Sequence, residues 1–252
     1  MKLVWTYNIL AKVGNKTEER KTILINYYII SITNAKKLGY YCIIYTDSFS
    51  AKYFKDLVDE IHVVDNYENS VQWDCYKILA LEQRNDDFVL IDGDVILHSK
   101  LPDFNEDVIF DTYEVMNWKI EYEPVVNQFE ELGIGEILEE WDSTKKPVFS
   151  CGILYFKDDK YKKHYVKQWK KYNNFLNEKL KTNTIDVDVA TMVGGQYLVT
   201  LIANHFNLTT SHLTSVLGAM GPYYKHHCGH LKYNNPIVPN DHIIQTAKKI
   251  LV

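Results

Sequence analysis

Apolar positions along the first hundred residues fall into two alternating rhythms. Nearly continuous apolar or β-branched runs, LVWTYNIL (3–10), YCIIYTD (41–47), EIHVVD (60–65) and FVLIDGDVIL (88–97), predict strands, the last of them buried on both faces. Between them EERKTILINYYIISITNAKKLGY (18–40), AKYFKDLVD (51–59) and SVQWDCYKILALEQR (70–84) carry apolar residues at helical spacing, with Gly39 as a stop and Ser70 as a cap. Strands alternating with helices predict an α/β fold with a mainly parallel central sheet flanked by helices.

The second half is less regular. DVIFDTYEV (107–115) and PVFSCGILYF (147–156) predict strands, and 117–143 is an acidic, aromatic loop or helical insert over a cleft. KYKKHYVKQWKKYNNFLNEKL (160–180) predicts an amphipathic helix whose stripe of Tyr161, Tyr165, Trp169 and Tyr172 is core packing. Its lysines read as a solvated face. GGQYLVTLIANHF (194–206) predicts an apolar helix, and the tail MGPYYKHHCGHLKY (220–233) fits neither period. Without a linker or repeat, residues 1–252 form one domain, in which the half up to residue 100 holds the anticipated ligand edge.

Within FVLIDGDVIL the pattern contradicts itself. Ionised carboxylates are costly inside a doubly buried strand, so Asp92 and Asp94 belong at a strand end, facing a cleft or a cation. At spacing two they reach one hard cation together, while Gly93 allows a bend or a close backbone approach. An ordinary strand-end turn with solvated aspartates is the alternative. In the tail, His226, His227 and His230 surround Gly229, flanked by Lys225 and Lys232. Two carboxylates and an imidazole suit a divalent cation with open positions, Mn²⁺ before Mg²⁺ because imidazole is among the ligands, and a nearby lysine suits a diphosphate.

Composition narrows the classes. A net charge of −5 with 24% charged residues provides no basic excess for a nucleic-acid surface. Cys42, Cys75, Cys151 and Cys228 form no C-x-x-C pair and read as buried free thiols in a reducing compartment. No run approaches the roughly 18 apolar residues of a membrane span, and MKLVWTYNIL turns polar too early for a signal peptide. The expectation is a cytoplasmic protein, with peripheral association at a membrane surface as the variant.

FVLIDGDVIL resembles the Asp-x-Asp strand of GT-A-fold glycosyltransferases. HHCGHLK is similar to the H-x-x-G-x-x-K motif of the glycogenin-like and bacterial lipopolysaccharide galactosyltransferase-like branch, with His226, Gly229 and Lys232 in the three places. The resemblance implies a single GT-A, Rossmann-like domain, with nucleotide-sugar binding in residues 1–100 and the acceptor site and metal/diphosphate loop in 101–252. It implies Asp92, Asp94 and His226 as Mn²⁺ ligands and Gly229 and Lys232 at the diphosphate. Thr6, Tyr7 and Asn8 then lie near the nucleotide, and Lys77, Asp92 and Gly93 near the ribose or sugar. FSCGILYF resembles an F-N-x-G strand and GGQYL a D-Q-x-x-L helix start, so Gln196 lines the reacting sugar.

The departures are Ser150 for the asparagine and Gly195 for the aspartate, and a Pro-Trp expected after the lysine is missing. Asp188 or Asp186 is a candidate for the absent carboxylate. The resemblance implies a glycosyltransferase using a nucleotide diphosphate sugar, UDP-linked first, with retention and an unidentified glycan, lipid-linked or protein acceptor. Two alternatives stand beside it. A nucleotidyltransferase usually has a Gly-rich loop, and WTYNILAKVGNK offers one glycine; a degenerate nucleotide-sugar-binding protein is kept open by Ser150 and Gly195.

Overall fold

The computed structural model describes residues 1–7, 18–65, 67, 72, 74–114, 118–214 and 221–227. The expected cap Ser70, Asn8 and the tail residues Cys228, Gly229, His230 and Lys232 lie outside them. β1 (Lys2–Tyr7), β2 (Tyr41–Thr46), β3 (Glu60–Val63) and β4 (Phe88–Ile91) are joined through α1 (Glu18–Lys37), α2 (Ser48–Phe54) and α3 (Cys75–Gln83). After β5 (Val95–Leu97) and β6 (Val108–Glu114), α4 (Glu123–Glu131) precedes β7 (Val148–Phe156). α5 (Asp159–Lys179), α6 (Val187–Met192), α7 (Leu198–His205), β8 (Thr210–His212) and β9 (Tyr224–His226) follow. Among the described residues no helix is long and apolar enough to cross a membrane.

Seven strands form one sheet in the order β3-β2-β1-β4-β7-β6-β8. β7 runs antiparallel to β4 and β6, and the other pairings are parallel. Side-chain alternation explains why the strands read as continuous apolar runs. Leu3, Trp5, Cys42, Ile44, Val89 and Ile91 pack on one face with α1. Val4, Ile43, Tyr45, Phe88 and Leu90 pack on the other with α3, α5 and α7. The aromatic stripe of α5 is core as expected: Tyr165, Trp169 and Tyr172 are buried. Gly39 ends α1 at φ +83°, a left-handed conformation in which a side chain would be strained.

Three elements differ from the sequence pattern. FVLIDGDVIL is not one strand: β4 ends at Ile91, the chain turns through Asp92–Asp94, and β5 pairs with β9 in a separate two-stranded sheet. The cost of carrying two carboxylates through the sheet interior explains the break. The apolar helix begins not at Gly194 but at Val187, where Asp186 accepts hydrogen bonds from the Asp188 and Val189 amides. It then passes through a π-helical turn at Val193–Tyr197. Position 194, inside the helix, takes a glycine because a Cβ there would sit 2.6 Å from Gln72 Oε1. The insert is helical, with a π turn at Trp118–Tyr122 leading into α4.

At the amino ends of the strands, Arg84 bridges Asp86 and Glu60, and Lys2 joins Asp86 at 2.6 Å. Burial alone would raise the Asp86 carboxyl, yet Arg84 and Lys2 bring it from 3.8 down to about 2. A depressed carboxyl adds stability that is complete above its unfolded value and is lost as pH falls through the folded one. Asp86→Asn is therefore expected to cost on the order of 1 kcal/mol at neutral pH, allowing for solvent screening, a cost that shrinks below pH about 4 and disappears as pH falls below about 2. Urea unfolding of both proteins across that range measures it.

Candidate active site

The chain winds β1, β2 and β3 to one side and then crosses β1 to lay down β4 on the other. β1 and β4 pair in parallel from Lys2↔Phe88 to Val4↔Leu90, so their carboxyl ends open at one edge, where the strand order reverses and α/β sheets bind ligands. Asp92 and Asp94 stand there. The turn is pinned by Asp92 N donating to Gly152 O at 2.8 Å and by Val95 N donating to Asp92 O at 3.0 Å. Gly93 leaves no choice of residue, because a Cβ would fall 2.1 Å from the buried Tyr28 ring. Gly93→Ala is expected to destabilise the protein by about 1–3 kcal/mol through overpacking, read as a lowered urea midpoint.

His226 reaches the turn because β9 pairs antiparallel with β5, Val95 opposite His226. His227 N donates to Asp94 O at 2.8 Å and locks the register. The ligating atoms of Asp92, Asp94 and His226 lie within 4.8 Å of one another, with His226 Nε2 3.5 Å from Asp94 Oδ1. On the far side of the ring, His226 Nδ1 meets the fully buried Asp111, which also accepts from Tyr224 Oη and, at 3.3 Å, from Ser150 Oγ. Gly152 makes room for the imidazole, since a Cβ would stand 2.5 Å from its Cε1. Burial alone would lower the His226 pKa, but Asp111 and Asp94 hold it well above its ordinary value.

Lys77 projects from α3 to pair with Asp92 Oδ1 at 2.7 Å and donates to Cys151 O at 3.2 Å. Burial alone would lower it, and Asp92 outweighs that effect, so it stays charged. Deeper in, Glu114 accepts from Tyr122 Oη at 2.9 Å, and Tyr122 also holds Gln196 Oε1. Burial pushes the Glu114 carboxyl up. Beside Gly195 a Cβ would lie 2.2 Å from Asp74 Oδ2, so the Asp74 carboxylate takes the space a side chain at 195 would need.

This donor set fits a divalent cation. Two carboxylates and an imidazole converge, and the imidazole's second nitrogen is held by a carboxylate, the usual arrangement behind a metal-bound histidine. Asp92 and Asp94 face the Lys77 ammonium and the His226 ring across the turn, and Asp111 backs the ring.

No protein-family description and no curated protein matches the sequence. Among solved structures, the galactosyltransferase LgtC, determined with donor and acceptor sugar analogs, superimposes with a TM-score of 0.52 at 10% identity, covering 99% of this chain and 94% of that one. The chain has a GT-A glycosyltransferase fold. Mouse xyloside xylosyltransferase 1 (TM-score 0.43, 9% identity, 84% of each chain) and Streptococcus pneumoniae GlyE (0.44, 9%, 99% of this chain and 64% of that one) follow, below the level at which a shared fold is established.

Within the GT-A fold the anticipated residues fall at different depths. Asp92, Gly93, Asp94, Lys77 and His226 come together at the edge. Thr6 and Tyr7 end β1 at the same edge, but the Tyr7 ring is buried edge-on to Tyr28 at 4.7 Å and to Phe54 at 5.5 Å, and the Thr6 carbonyl accepts from Tyr28 Oη. Gln196 is half-buried against Tyr122, whereas Asp188 is exposed in the first turn of α6. Trp118 and Trp141 pack on Tyr197 at 5.3 and 5.8 Å. Asp111, Glu114 and Asp74 were not singled out from sequence. Asp111 did carry a signal, a lone carboxylate in the apolar run VIFDTY, the same oddity that marked Asp92.

Proposed function

We propose that the chain is a divalent-metal-dependent glycosyltransferase that takes a sugar from a nucleotide diphosphate donor, a UDP-sugar first, and transfers it with retention to a glycan, lipid-linked or protein acceptor. The observation that carries this reading is the meeting of Asp92, Asp94 and His226 at the carboxyl edge of a GT-A sheet, with Asp111 behind the imidazole. Asp92, Asp94 and His226 would hold the cation, Mn²⁺ before Mg²⁺, which offsets charge on the leaving diphosphate. Lys77, kept charged by Asp92, adds a positive group at the same edge, and Lys232 and Gly229 complete the diphosphate contacts by resemblance. By resemblance Thr6 and Asn8 would lie at the nucleotide end, and Tyr7, whose ring is buried against Tyr28 and Phe54, would contribute there through its backbone. Gln196, oriented by Tyr122, faces the sugar; Asp74 supports the reading by bringing a carboxylate beside Gly195, with Asp188 the alternative source.

A protein that binds the donor without transferring it is the second reading, favoured by Ser150 and Gly195. Calorimetric titration of UDP, UDP-glucose, UDP-galactose and GDP-mannose with and without Mn²⁺ tests the first part. Mn²⁺-dependent binding of one nucleotide is expected; binding of none would remove the glycosyltransferase reading. Binding with no sugar release to water or to an acceptor panel would favour the second.

A further inference from the structure

The two π-helical turns among the described residues, Trp118–Tyr122 and Val193–Tyr197, meet through Tyr122 and Gln196. Widened turns of this kind are rare and gather at functional sites. Tyr122 is fully buried, its ring parallel to Trp118 at 6.2 Å. Its Oη touches two oxygens, Gln196 Oε1 and, at 2.9 Å, Glu114 Oε2. Glu114 is itself only 8% exposed.

As these contacts stand, both oxygens draw on one hydroxyl. A phenol carries a single proton and cannot donate to both. Burial and the neighbouring Glu114 raise the Tyr122 pKa, so that proton is present. Were Glu114 ionised, it would take the proton and leave Tyr122 Oη and Gln196 Oε1 facing each other lone pair to lone pair. Only turning the Gln196 amide end for end would then relieve the clash. A neutral Glu114 relieves it with every atom in place: its carboxyl O–H donates to Tyr122 Oη, whose own O–H donates to Gln196 Oε1. The surroundings favour that form. Burial raises the carboxyl, with the half-buried Glu121 adding to it, and the opposing hydrogen bonds from Tyr122 and Ser150 and the His226 charge do not reverse the shift.

We propose that Glu114 is a positioning residue that, as the neutral acid, fixes through Tyr122 which end of the Gln196 amide meets the donor sugar. With Oε1 tied to Tyr122, Nε2 is the free end, and it has no hydrogen-bond partner among the described residues. Gln196 then offers an N–H to a sugar oxygen and does not offer a lone pair to the anomeric carbon. The sugar-facing role of Gln196 rests on the function proposed above; the direction of its amide is the addition.

One arm of the test needs no turnover. Infrared spectra at neutral pH, with and without Mn²⁺, are expected to contain the C=O stretch of an un-ionised carboxylic acid that is absent from Glu114→Gln. In the other arm, Tyr122→Phe should lower kcat for the donor about 10²-fold and Glu114→Leu about tenfold or more, with calorimetric nucleotide affinity unchanged. Both substitutions keep most of the bulk, and circular dichroism checks the fold. Glu114→Gln, whose amide can donate to Tyr122 in place of the acid, should recover most of the loss seen in Glu114→Leu. A carboxylic-acid band missing from the parent protein, or lost on adding Mn²⁺, overturns the proposal, as does Glu114→Gln as slow as Glu114→Leu. A band that vanishes in Glu114→Gln in a protein that transfers no sugar supports the hydrogen-bond chain and counts against transfer alone.

Discussion

Asp94→Asn is expected to lower kcat/KM for the donor by on the order of 10³-fold and to abolish metal-dependent nucleotide binding. Asp94 is the member of the turn that His226 Nε2 faces at 3.5 Å, and it is buried, so its charge acts in a poorly screened environment. Asparagine keeps the shape and removes the charge. The backbone pins of the turn, from Gly152 and His227, do not involve the side chain, so the fold should persist. Steady-state kinetics and calorimetry on the folded variant decide it. An unchanged kcat/KM would show that the carboxylate pair is only a turn.

The second large effect is expected at Asp111. Asp111→Asn should weaken divalent-metal affinity about 10–100-fold while leaving the three ligands in place. Its carboxylate lies against His226 Nδ1, fixing the ring's orientation and leaving Nε2 directed at Asp94. The amide keeps the size but loses the charge that makes the imidazole a stronger donor, and it can present its NH₂ to the ring. Mn²⁺ titration followed by its electron paramagnetic resonance measures the change, and circular dichroism checks the fold. Equal affinity in the two proteins would reduce Asp111 to a packing partner of Tyr224 and Ser150.

Much of the framework was legible because it rests on local periodicity. Runs such as YCIIYT became β2, buried at every position but the first, and the α5 stripe became core. The Asp92–Asp94 oddity was legible for a related reason, since two charges interrupting an apolar run must either leave the sheet or find a cation. The chain does the first, and the geometry of Asp92, Asp94 and His226 suits the second. Less visible was where the strand would break and what would replace it. β5 has three residues and its partner β9 comes from the tail, so neither carries a period long enough to read.

The sequence by itself determined an α/β sheet, its buried strands and a carboxylate pair at a strand end, because hydrophobic spacing and the cost of buried charge act within a few neighbouring residues. Only the tertiary structure decided who stands behind and beside that pair. Asp111 meets His226 across 115 positions, Lys77 reaches Asp92 from the helix before β4, Asp74 stands beside Gly195, and Gly152 seats an imidazole. Such meetings depend on strand order and on where a Cβ would collide. Those quantities exist once the sheet has assembled, and no short-range pattern encodes them.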